Sequence, residues 1–420
     1  MVDETVSGGR RRHMPDFAIL GAAPAFAEPL HVGRPNIGDR DRLMERIGGV
    51  LDRYRLTNDG PLVQEFEQRV ADFVGVHHCV ATCNGTIALQ IAVRAAGLAG
   101  EAILSPLTFV ATAHALQWQA VTPVFCDVER RTHNLDPARV EDMISTRTSA
   151  IVGVHLWGRP CAVDELTALA DRHGLALLFD AAHAFGCSHR GRMLGGFGQA
   201  EVLSFHATKF VNSFEGGAIV TDDDAFAEKA RIMRNHGFVG YDKVGCVGTN
   251  GKMSEVAAAM GLTSLEAREH FYTTNRRNYD AYRAGLAGIA GVDLIGYDDA
   301  ELCNRNYVVI EIDESAGVSR DELQRVLWAE NVLARRYFFP GCHRAEPYRS
   351  LFPDAGIELP EAERLGRRLL ALPTGTAIDV ATVAVVAELI RRAVADGPRL
   401  RRQLQSIVTL DADPSSAGTC

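Results

Sequence analysis

The sequence predicts an α/β protein in which a mostly parallel sheet is sandwiched by helices and is followed by a smaller C-terminal α+β domain. Between residues 61 and 222, helical patterns alternate with short apolar runs, which is typical of successive βα units. These runs are almost continuously hydrophobic, as expected of strands that helices cover on both faces. Near residue 250 the alternation ends, which indicates a second domain.

The elements of the large domain follow from the spacing of apolar residues. They recur at intervals of three and four in the helical segments, whereas the strand segments are short uninterrupted runs. Together these elements assign residues 35–254 to one large α/β domain. The predicted helices span residues 61–74, 86–96, 163–173 and 226–235. The predicted strands span residues 102–105, 123–127, 150–156, 175–180, 201–205 and 218–221.

The C-terminal part of the chain begins with a long helical pattern over residues 255–286. We assign residues 255–405 to this connecting helix and a small C-terminal domain. Residues 1–34 are assigned to an N-terminal arm, and residues 406–420 to a disordered tail, because the last of them are small and polar. The small domain is predicted to contain a strand at 307–312, a helix at 320–331, a loop rich in aromatic residues and proline at 337–348, and a final helix at 380–395.

Composition and charge exclude several classes of protein. The chain has 420 residues, of which 47% are hydrophobic and 23% charged, so it is a folded globular protein with room for two or three domains. Its net charge of −9 comes from interspersed acidic and basic residues, which argues against a nucleic-acid partner. The nine cysteines are scattered and contain no C-x-x-C pair, so we expect reduced thiols in a cytoplasmic protein and no metal site.

One apolar stretch near the N-terminus resembles a secretion signal. Three arginines at 10–12 precede the Ala-rich segment 17–27, which ends in an A-x-A pattern. The segment is short and is interrupted by Pro24, so we reject its interpretation as a secretion signal. Elsewhere no apolar run approaches the roughly 18 residues that cross a bilayer, and no membrane partner is expected.

Two predicted strands end in chemically active side chains. The run Leu177-Leu-Phe-Asp180 delivers a carboxylate to the C-terminal edge of the sheet, where ligands of open α/β sheets bind. The run that begins at Val202 leads to Lys209, one of only four lysines, and then to a Gly-containing loop. An amine at this edge is a candidate for a Schiff base. Taken alone, Asp180 could equally cap a helix or bind a metal, and Lys209 could be a surface cation.

An anion site is predicted where Cys83-Asn-Gly-Thr86 opens an apolar helix, because free backbone N–H groups and the positive end of the helix dipole face the same space. A phosphate is the natural occupant, although most helix starts of this kind are only caps. A carboxylate, a lysine and a phosphate cradle at one sheet edge are together what pyridoxal 5′-phosphate requires. The carboxylate keeps the ring nitrogen protonated, the lysine binds carbon C4′, and the cradle holds the phosphate.

The same residues carry a resemblance to the DegT/DnrJ/EryC1/StrS family of sugar aminotransferases, which are fold-type I pyridoxal-phosphate transferases. The resemblance covers roughly residues 35–395 and implies a homodimer whose active sites are shared between subunits. Some members have histidine in place of the lysine and perform dehydration, so Lys209 favours transamination. The motifs are Thr57-Asn-Asp-Gly-Pro-Leu-Val63, Cys83-Asn-Gly-Thr-Ile-Ala-Leu89, Ser105-Pro-Leu-Thr-Phe-Val-Ala-Thr112, Phe179-Asp-Ala-Ala-His-Ala-Phe-Gly186, Ser204-Phe-His-Ala-Thr-Lys209 with Glu215-Gly-Gly217, and Asn250-Gly-Lys-Met-Ser-Glu255.

The resemblance implies a role for each matching residue. Lys209 would form the internal aldimine and shuttle the proton to and from C4′, and Asp180 would pair with the ring nitrogen. His183 would lie near the ring or its 3′-oxygen, and Phe109 would stack on the ring unless it is an ordinary core residue. Asn250 would reach the phosphate of the neighbouring subunit, unless it is only a polar turn residue. The other candidates are Gly85, Thr86 and Ser204 for the phosphate, and His206, His236, Tyr337 and His343 for the substrate, although His206 and His236 could equally be structural histidines.

Finer similarities suggest the substrates. The segments 113–118, 154–158 and 205–217 are most similar to enzymes that aminate C4 of dTDP-4-keto-6-deoxy-D-glucose, which gives dTDP-4-amino-4,6-dideoxy-D-glucose, and the family's expected amino donor is L-glutamate. The loop 335–343 resembles the family segment near the sugar nucleotide, and its arginines suit a diphosphate or are simply solvated. Amination at C3, aminocyclitol or aminobenzoate formation, and a non-catalytic regulatory protein of this fold stay open as alternatives.

Overall fold

The computed structural model describes residues 16–407 of the chain. Its α-helices are α1 Arg40–Asp52, α2 Pro61–Val74, α3 Gly85–Ala95, α4 Val110–Trp118, α5 Pro137–Met143, α6 Val163–His173, α7 Asp224–Arg234, α8 Glu255–Glu266, α9 Arg268–Leu286, α10 Arg320–Ala329, α11 Tyr348–Leu351, α12 Pro360–Gly366, α13 Val380–Ala395 and α14 Gly397–Ile407. Its strands are β1 Leu30–His31, β2 His78–Thr82, β3 Glu101–Leu104, β4 Thr122–Phe125, β5 Thr148–Val154, β6 Ala176–Asp180, β7 Ser188–His189, β8 Arg192–Met193, β9 Ala200–Ser204, β10 Gly217–Thr221, β11 Phe238–Gly240, β12 Lys243–Val244, β13 Val292–Leu294, β14 Val308–Ile312, β15 Val332–Leu333 and β16 Leu369–Leu372.

Seven strands form the central sheet, in the order β2-β10-β9-β6-β5-β3-β4. Strands β9, β6, β5, β3 and β4 are parallel to one another. Strand β10 is antiparallel to both of its neighbours. Every residue of β9 and β10 is buried, because helices cover both faces of the sheet. The carboxyl ends of the parallel strands therefore lie together along one edge, as the sequence predicts.

Most of the predicted elements are present. Segments 61–74, 163–173 and 380–395 coincide with α2, α6 and α13. Apart from the segment 255–286, the other predicted strands and helices differ from the observed ones by one or two residues at their ends. Several elements are not predicted by the patterns, among them α1, α4, α5, α12, β2, β13 and β16. Helix α4 shows the reason, since it is apolar on almost every side and offers no helical period to detect.

The single helix predicted over residues 255–286 is wrong in one respect. The chain turns at Ala267, and this turn separates α8 from α9. The two helices have different packing partners, since α8 packs on α1 and α2, whereas α9 packs on α13. The boundary at residues 254–255 between the two domains stays a prediction.

The C-terminal domain is built on a three-stranded antiparallel sheet, in the order β13-β14-β16. Helices α9, α10 and α13 pack on it around a separate hydrophobic core, in which Tyr282, Val308 and Leu370 are fully buried. The predicted strand 307–312 corresponds to β14, and the predicted helix 320–331 corresponds to α10. Tyr307, the residue before β14, lies at the carboxyl edge of the central sheet.

The N-terminal segment is part of the C-terminal domain core. Phe17 has no exposed surface and belongs to the same hydrophobic cluster as α9 and α13. The Glu330 carboxylate accepts hydrogen bonds from the N–H groups of Ala18 and Ala25, both at 2.7 Å. Strand β1 pairs in parallel with β15. The described residues of the predicted arm therefore complete the C-terminal domain.

Some sequence-based expectations concern residues that the structure leaves out. Residues 1–15 of the predicted arm and 408–420 of the predicted tail lie outside the described part of the chain. Within residues 16–407, no helix is both long and apolar enough to cross a bilayer. In the same range, no three His, Cys, Asp or Glu side chains are grouped so that they could hold a metal ion.

Candidate active site

A cavity of about 310 Å³ lies at the carboxyl edge of the central sheet. Strands β2, β3, β5, β6 and β9 all end against it, so side chains that are far apart in sequence meet there. Its other wall comes from the C-terminal domain. Of the residues predicted from sequence, those that line it are Gly85, Thr86, Phe109, Asp180, His183, Ser204, His206, Lys209 and Tyr337.

Asp180 ends β6 with its carboxylate held in a fixed orientation. Only 5% of its surface is exposed. Its Oδ2 accepts a hydrogen bond from Thr112 Oγ1 at 2.7 Å, and its Oδ1 accepts one from the Ala182 N–H at 3.0 Å. Thr112 Oγ1 lies 2.8 Å from Thr108 Oγ1, which links the carboxylate to the start of α4. This negative charge is therefore buried and positioned before any ligand arrives.

Lys209 lies in the turn that follows β9. Its backbone N–H donates to the His206 carbonyl, which closes the turn and points the side chain into the cavity. The Nζ atom donates to the Tyr307 hydroxyl at 3.2 Å. Burial lowers the pKa of Lys209 to about 8, against the opposing attraction of the Asp180 carboxylate. At a pH near 8, about half of the Lys209 side chains are therefore neutral amines. The neutral amine is the form that acts as a nucleophile and accepts a proton.

The start of α3 forms a small cradle in the cavity. Asn84 Oδ1 accepts from the Ile87 N–H at 2.8 Å and caps the helix, so the earlier N–H groups of Gly85 and Thr86 face the cavity. A Cβ atom at Gly85 would lie 3.1 Å from Ser204 Cβ, and one at Gly217 would lie 2.5 Å from Gly85 N. Glycine at both positions allows β9 and β10 to approach the helix end, and the resulting space suits a phosphate.

His183 is part of an aromatic stack on the other side of the cavity. Its ring is nearly parallel to those of Trp157 and Phe338, with centroids 6.0 and 5.7 Å away. Its Nδ1 atom accepts from the Trp157 N–H at 3.3 Å, which assigns the proton of the neutral ring to Nε2. Burial and the nearby Lys209 hold the pKa of His183 well below its usual value. His183 is therefore a neutral donor toward the cavity.

The remaining lining residues lie toward the opening. Phe109, the residue before α4, is 58% exposed, and its ring centre lies 6.1 Å from that of Phe338. His206 Nδ1 lies 2.9 Å from Thr208 Oγ1, and its Nε2 lies 3.5 Å from Glu215 Oε1. Tyr337 lies under the guanidinium of Arg335, at 5.5 Å from its ring centre. These side chains can contact a ligand larger than the space beside Asp180.

Three of the residues predicted from sequence do not line this cavity. His343 is 2% exposed, and its Nε2 lies 2.7 Å from Glu363 Oε1, which is the environment of a structural histidine. His236 and Asn250 are exposed on the segment that carries the β11–β12 hairpin, which a backbone bridge between Asn235 and Asn250 closes. Within one chain, this segment contributes nothing to the cavity wall.

The structure adds three residues that sequence reasoning did not select. Thr112 holds Asp180, Trp157 holds His183, and Tyr307 holds Lys209. Thr112 lies at the end of a motif that the sequence already singles out, so its spacing from Phe109 offered a signal. No local pattern could reveal Tyr307, because its contact with Lys209 depends on how the two domains meet.

Comparison with known proteins gives consistent matches. The model of the DegT/DnrJ/EryC1/StrS aminotransferase family matches residues 38–391. The dTDP-4-amino-4,6-dideoxy-D-glucose transaminase of Shigella dysenteriae is 35% identical over 347 residues, which is 82% of this chain and 94% of the relative. The Escherichia coli protein of the same name is 34% identical over 361 residues, which is 86% of this chain and 97% of the relative.

Solved structures agree with this result. DesI, crystallised in the presence of its TDP-sugar product, is 52% identical with a TM-score of 0.89, over 93% of this chain and 99% of its own. DesV of S. venezuelae, crystallised with a ketimine intermediate, is 31% identical with a TM-score of 0.79, over 84% of this chain and 95% of its own. The likeness therefore extends over both domains.

The site and these matches lead to one conclusion. A fixed carboxylate, a partly neutral amine and an open helix N-terminus in one cavity fit the ring nitrogen, the aldehyde and the phosphate of pyridoxal phosphate. The sheet order and the solved relatives confirm the predicted α/β class with a smaller C-terminal domain. The chain belongs to the DegT/DnrJ/EryC1/StrS aminotransferase family and is a pyridoxal-phosphate-dependent transaminase of fold type I.

Proposed function

We propose that the enzyme transfers an amino group from L-glutamate to C4 of dTDP-4-keto-6-deoxy-D-glucose, which gives dTDP-4-amino-4,6-dideoxy-D-glucose. The observation that carries this proposal is the likeness to DesI, whose structure was determined with its TDP-sugar product and which covers nearly the whole chain. The names of the Shigella and Escherichia coli relatives agree with the same sugar. The free thiols of the described residues suit a reducing cytoplasm, where we propose that the enzyme works.

In this proposal the cavity residues divide the chemistry among them. When bound, pyridoxal phosphate supplies carbon C4′, which carries the amino group between the two substrates. Lys209 would hold that carbon when no substrate is bound, and its free amine would then carry a proton between the amino-bearing carbon of the substrate and C4′. Asp180 would keep the ring nitrogen protonated, since its buried carboxylate and the nitrogen would neutralise each other.

The other lining residues hold the cofactor and orient the sugar. We propose that the N–H groups of Gly85 and Thr86 and the hydroxyl of Ser204 bind the phosphate, because they surround the cradle at the start of α3. His183 would donate from Nε2 to the ring or its 3′-oxygen, and Phe109 would stack on the ring. His206, Tyr337 and Arg335 line the path to solvent and suit the sugar and its diphosphate.

The substrate assignment is tested by supplying glutamate and a panel of 3-keto and 4-keto sugar nucleotides to the purified enzyme. Each amino sugar is identified by mass and by NMR. We expect turnover of the 4-keto-6-deoxy compound with thymidine as its base, at least about tenfold faster in kcat/KM than that of a 3-keto isomer. A preference for the 3-keto compound would assign the enzyme to C3 amination instead.

The pH dependence of the second half-reaction follows from Lys209. Lys209 must be the neutral amine in order to take a proton, and burial lowers its pKa to about 8. The rate at which the pyridoxamine phosphate form reacts with the keto sugar is therefore expected to rise with pH and to level off above a midpoint near 8. Single-turnover absorbance between pH 6 and 9.5 measures it. A rate that falls between pH 7 and 9 would contradict this role for the amine.

We also propose that the enzyme is a homodimer in which Asn250 and His236 serve the active site of the partner. The β11–β12 segment that carries them exposes a series of apolar side chains, among them Tyr241 at 98%, Val244 at 60% and Val247 at 70%. Clustered exposure of this kind is typical of a surface that another protein covers. In the dimer, the Asn250 and His236 side chains of one chain would then line the cavity of the other chain, since they do not line their own.

The dimer proposal predicts the effect of charges on this segment. The double change Val244→Glu and Val247→Glu is expected to convert dimers to monomers at micromolar concentration and to weaken cofactor retention, because two desolvated carboxylates would oppose the interface. Light scattering measures the mass. Ile357→Glu is the control, because Ile357 is 80% exposed but lies on the C-terminal domain, away from the proposed interface. We expect this variant to stay dimeric. A double variant with the mass of the wild-type dimer would contradict the proposed interface.

A further inference from the structure

The side chain that contacts the amine of Lys209 comes from the C-terminal domain. Lys209 Nζ donates to Tyr307 Oη at 3.2 Å, and Tyr307 directly precedes β14. The neighbouring Asn306 Nδ2 donates to the Thr208 carbonyl at 3.2 Å. Two consecutive residues of one domain thus hold two consecutive residues of the other. The position of the amine depends on this junction as well as on the turn after β9.

The phenol of Tyr307 has little freedom to turn away. Tyr307 is 7% exposed, and its ring centre lies 4.2 Å from that of His183. The Tyr297 hydroxyl lies 2.6 Å from the Tyr307 carbonyl oxygen and 3.1 Å from that of Trp157, so it ties the backbone of Tyr307 to the wall behind His183. The hydroxyl of Tyr307 is therefore presented to Lys209 by rigid surroundings.

The charged groups around Lys209 and Tyr307 are compatible with repeated protonation and deprotonation of the Lys209 amine. Burial raises the pKa of Tyr307 well above its ordinary value, so the phenol stays protonated. It can accept a hydrogen bond from the ammonium form of Lys209 and donate one to the neutral amine. Asp180 is the negative group that acts on Lys209, and His183 is neutral. The other charged or titratable side chains that line the cavity are His206, Glu215, Arg335 and Tyr337.

We propose that Tyr307 is the positioning residue for the catalytic amine. Its hydroxyl holds the free amine of Lys209 while the amino group resides on the cofactor, and it changes between acceptor and donor as Lys209 gains and loses a proton. The inference rests on the proposed role of Lys209 and adds a second residue, from the other domain, to that step. A tyrosine that only packed against His183 would not affect the protonation of Lys209.

The test uses Tyr307→Phe, which removes the hydroxyl and keeps the ring. In the pyridoxamine phosphate form of the holoenzyme the amine of Lys209 is free, and its rate of acylation between pH 6.5 and 10 can be followed by peptide mass spectrometry. We expect the midpoint of this profile to be about 0.5–1 pH unit lower than in the wild type, because the hydrogen bond to the ammonium form is the stronger of the two that are lost. Tyr337→Phe removes a hydroxyl from the same cavity and should leave the midpoint unchanged.

A second readout separates positioning from packing. For Tyr307→Phe we expect kcat to fall about ten- to a hundredfold, with KM for glutamate and the bound cofactor content within twofold of the wild type. An unchanged acylation midpoint, or an equal shift in Tyr337→Phe, would overturn the inference. If Lys209→Ala instead kept the visible absorption of the bound cofactor, the proposed role of Lys209 itself would fail, and the two failures are thereby distinguished.

Discussion

Lys209→Ala is expected to remove the visible absorption of the protein-bound cofactor and to lower turnover by at least about four orders of magnitude. In the proposed function, Lys209 is both the group that binds the cofactor covalently and the group that moves the proton, and the variant lacks it. The fold should persist, because the side chain makes a single hydrogen bond, to Tyr307, among the described residues. Absorbance of the purified protein, circular dichroism and steady-state assays with glutamate measure the three quantities.

Lys252→Ala is the matched control for this loss. Lys252 is another of the four lysines, lies after the β11–β12 segment, and donates to Asn235 Oδ1 at 3.1 Å outside the cavity. Its removal should leave the visible absorption in place. Ordinary turnover in Lys209→Ala, or loss of the absorption in Lys252→Ala alone, would show that a different amine binds the cofactor.

Asp180→Asn is expected to lower the rate of the glutamate half-reaction about a thousandfold. An amide of the same shape can still accept the hydrogen bond from Thr112, but it carries no charge to keep the ring nitrogen protonated. The cofactor should still bind, because Lys209 and the cradle at the start of α3 are unchanged. Single-turnover measurements with glutamate, together with the bound cofactor content, separate this chemical defect from a binding defect.

The chain offers a close control in Asp127→Asn. Asp127 is likewise a buried aspartate, at 2% exposure, and its carboxylate accepts hydrogen bonds from the N–H groups of Glu361 and Ala362 at the start of α12, outside the cavity. This variant should be destabilised by about 1 kcal/mol and should turn over normally when folded. Near-wild-type kinetics in Asp180→Asn would mean that another acid pairs with the ring.

The predictability of the fold depended on how regular each element is. Helices α2, α6 and α13 have one apolar face, and their period predicts both of their ends. Helix α4 is buried on almost every side, so its sequence contains no period, and the turn at Ala267 is set by what α8 and α9 pack against. Such features belong to the tertiary structure, and one sequence does not contain them.

The candidate site divides in the same way. Asp180, Lys209 and the Gly85 cradle could be identified because each follows a strand, and the carboxyl ends of parallel strands meet. Tyr307 could not, since it reaches Lys209 from a second domain. The sequence does not show which residues of the loop 335–343 belong to the site. In the structure, Tyr337 lines the cavity, whereas His343 is buried against Glu363.

The pairing of Leu30 with Val332 has a consequence for how the enzyme is made. On the ribosome, the segment that includes Phe17 emerges about 300 residues before its partner strand, which at about 5–20 residues per second is a delay of roughly 15–60 s. During that interval its apolar side chains have no native neighbours. We therefore expect newly made chains to need protection of this segment until β15 and α13 have been translated.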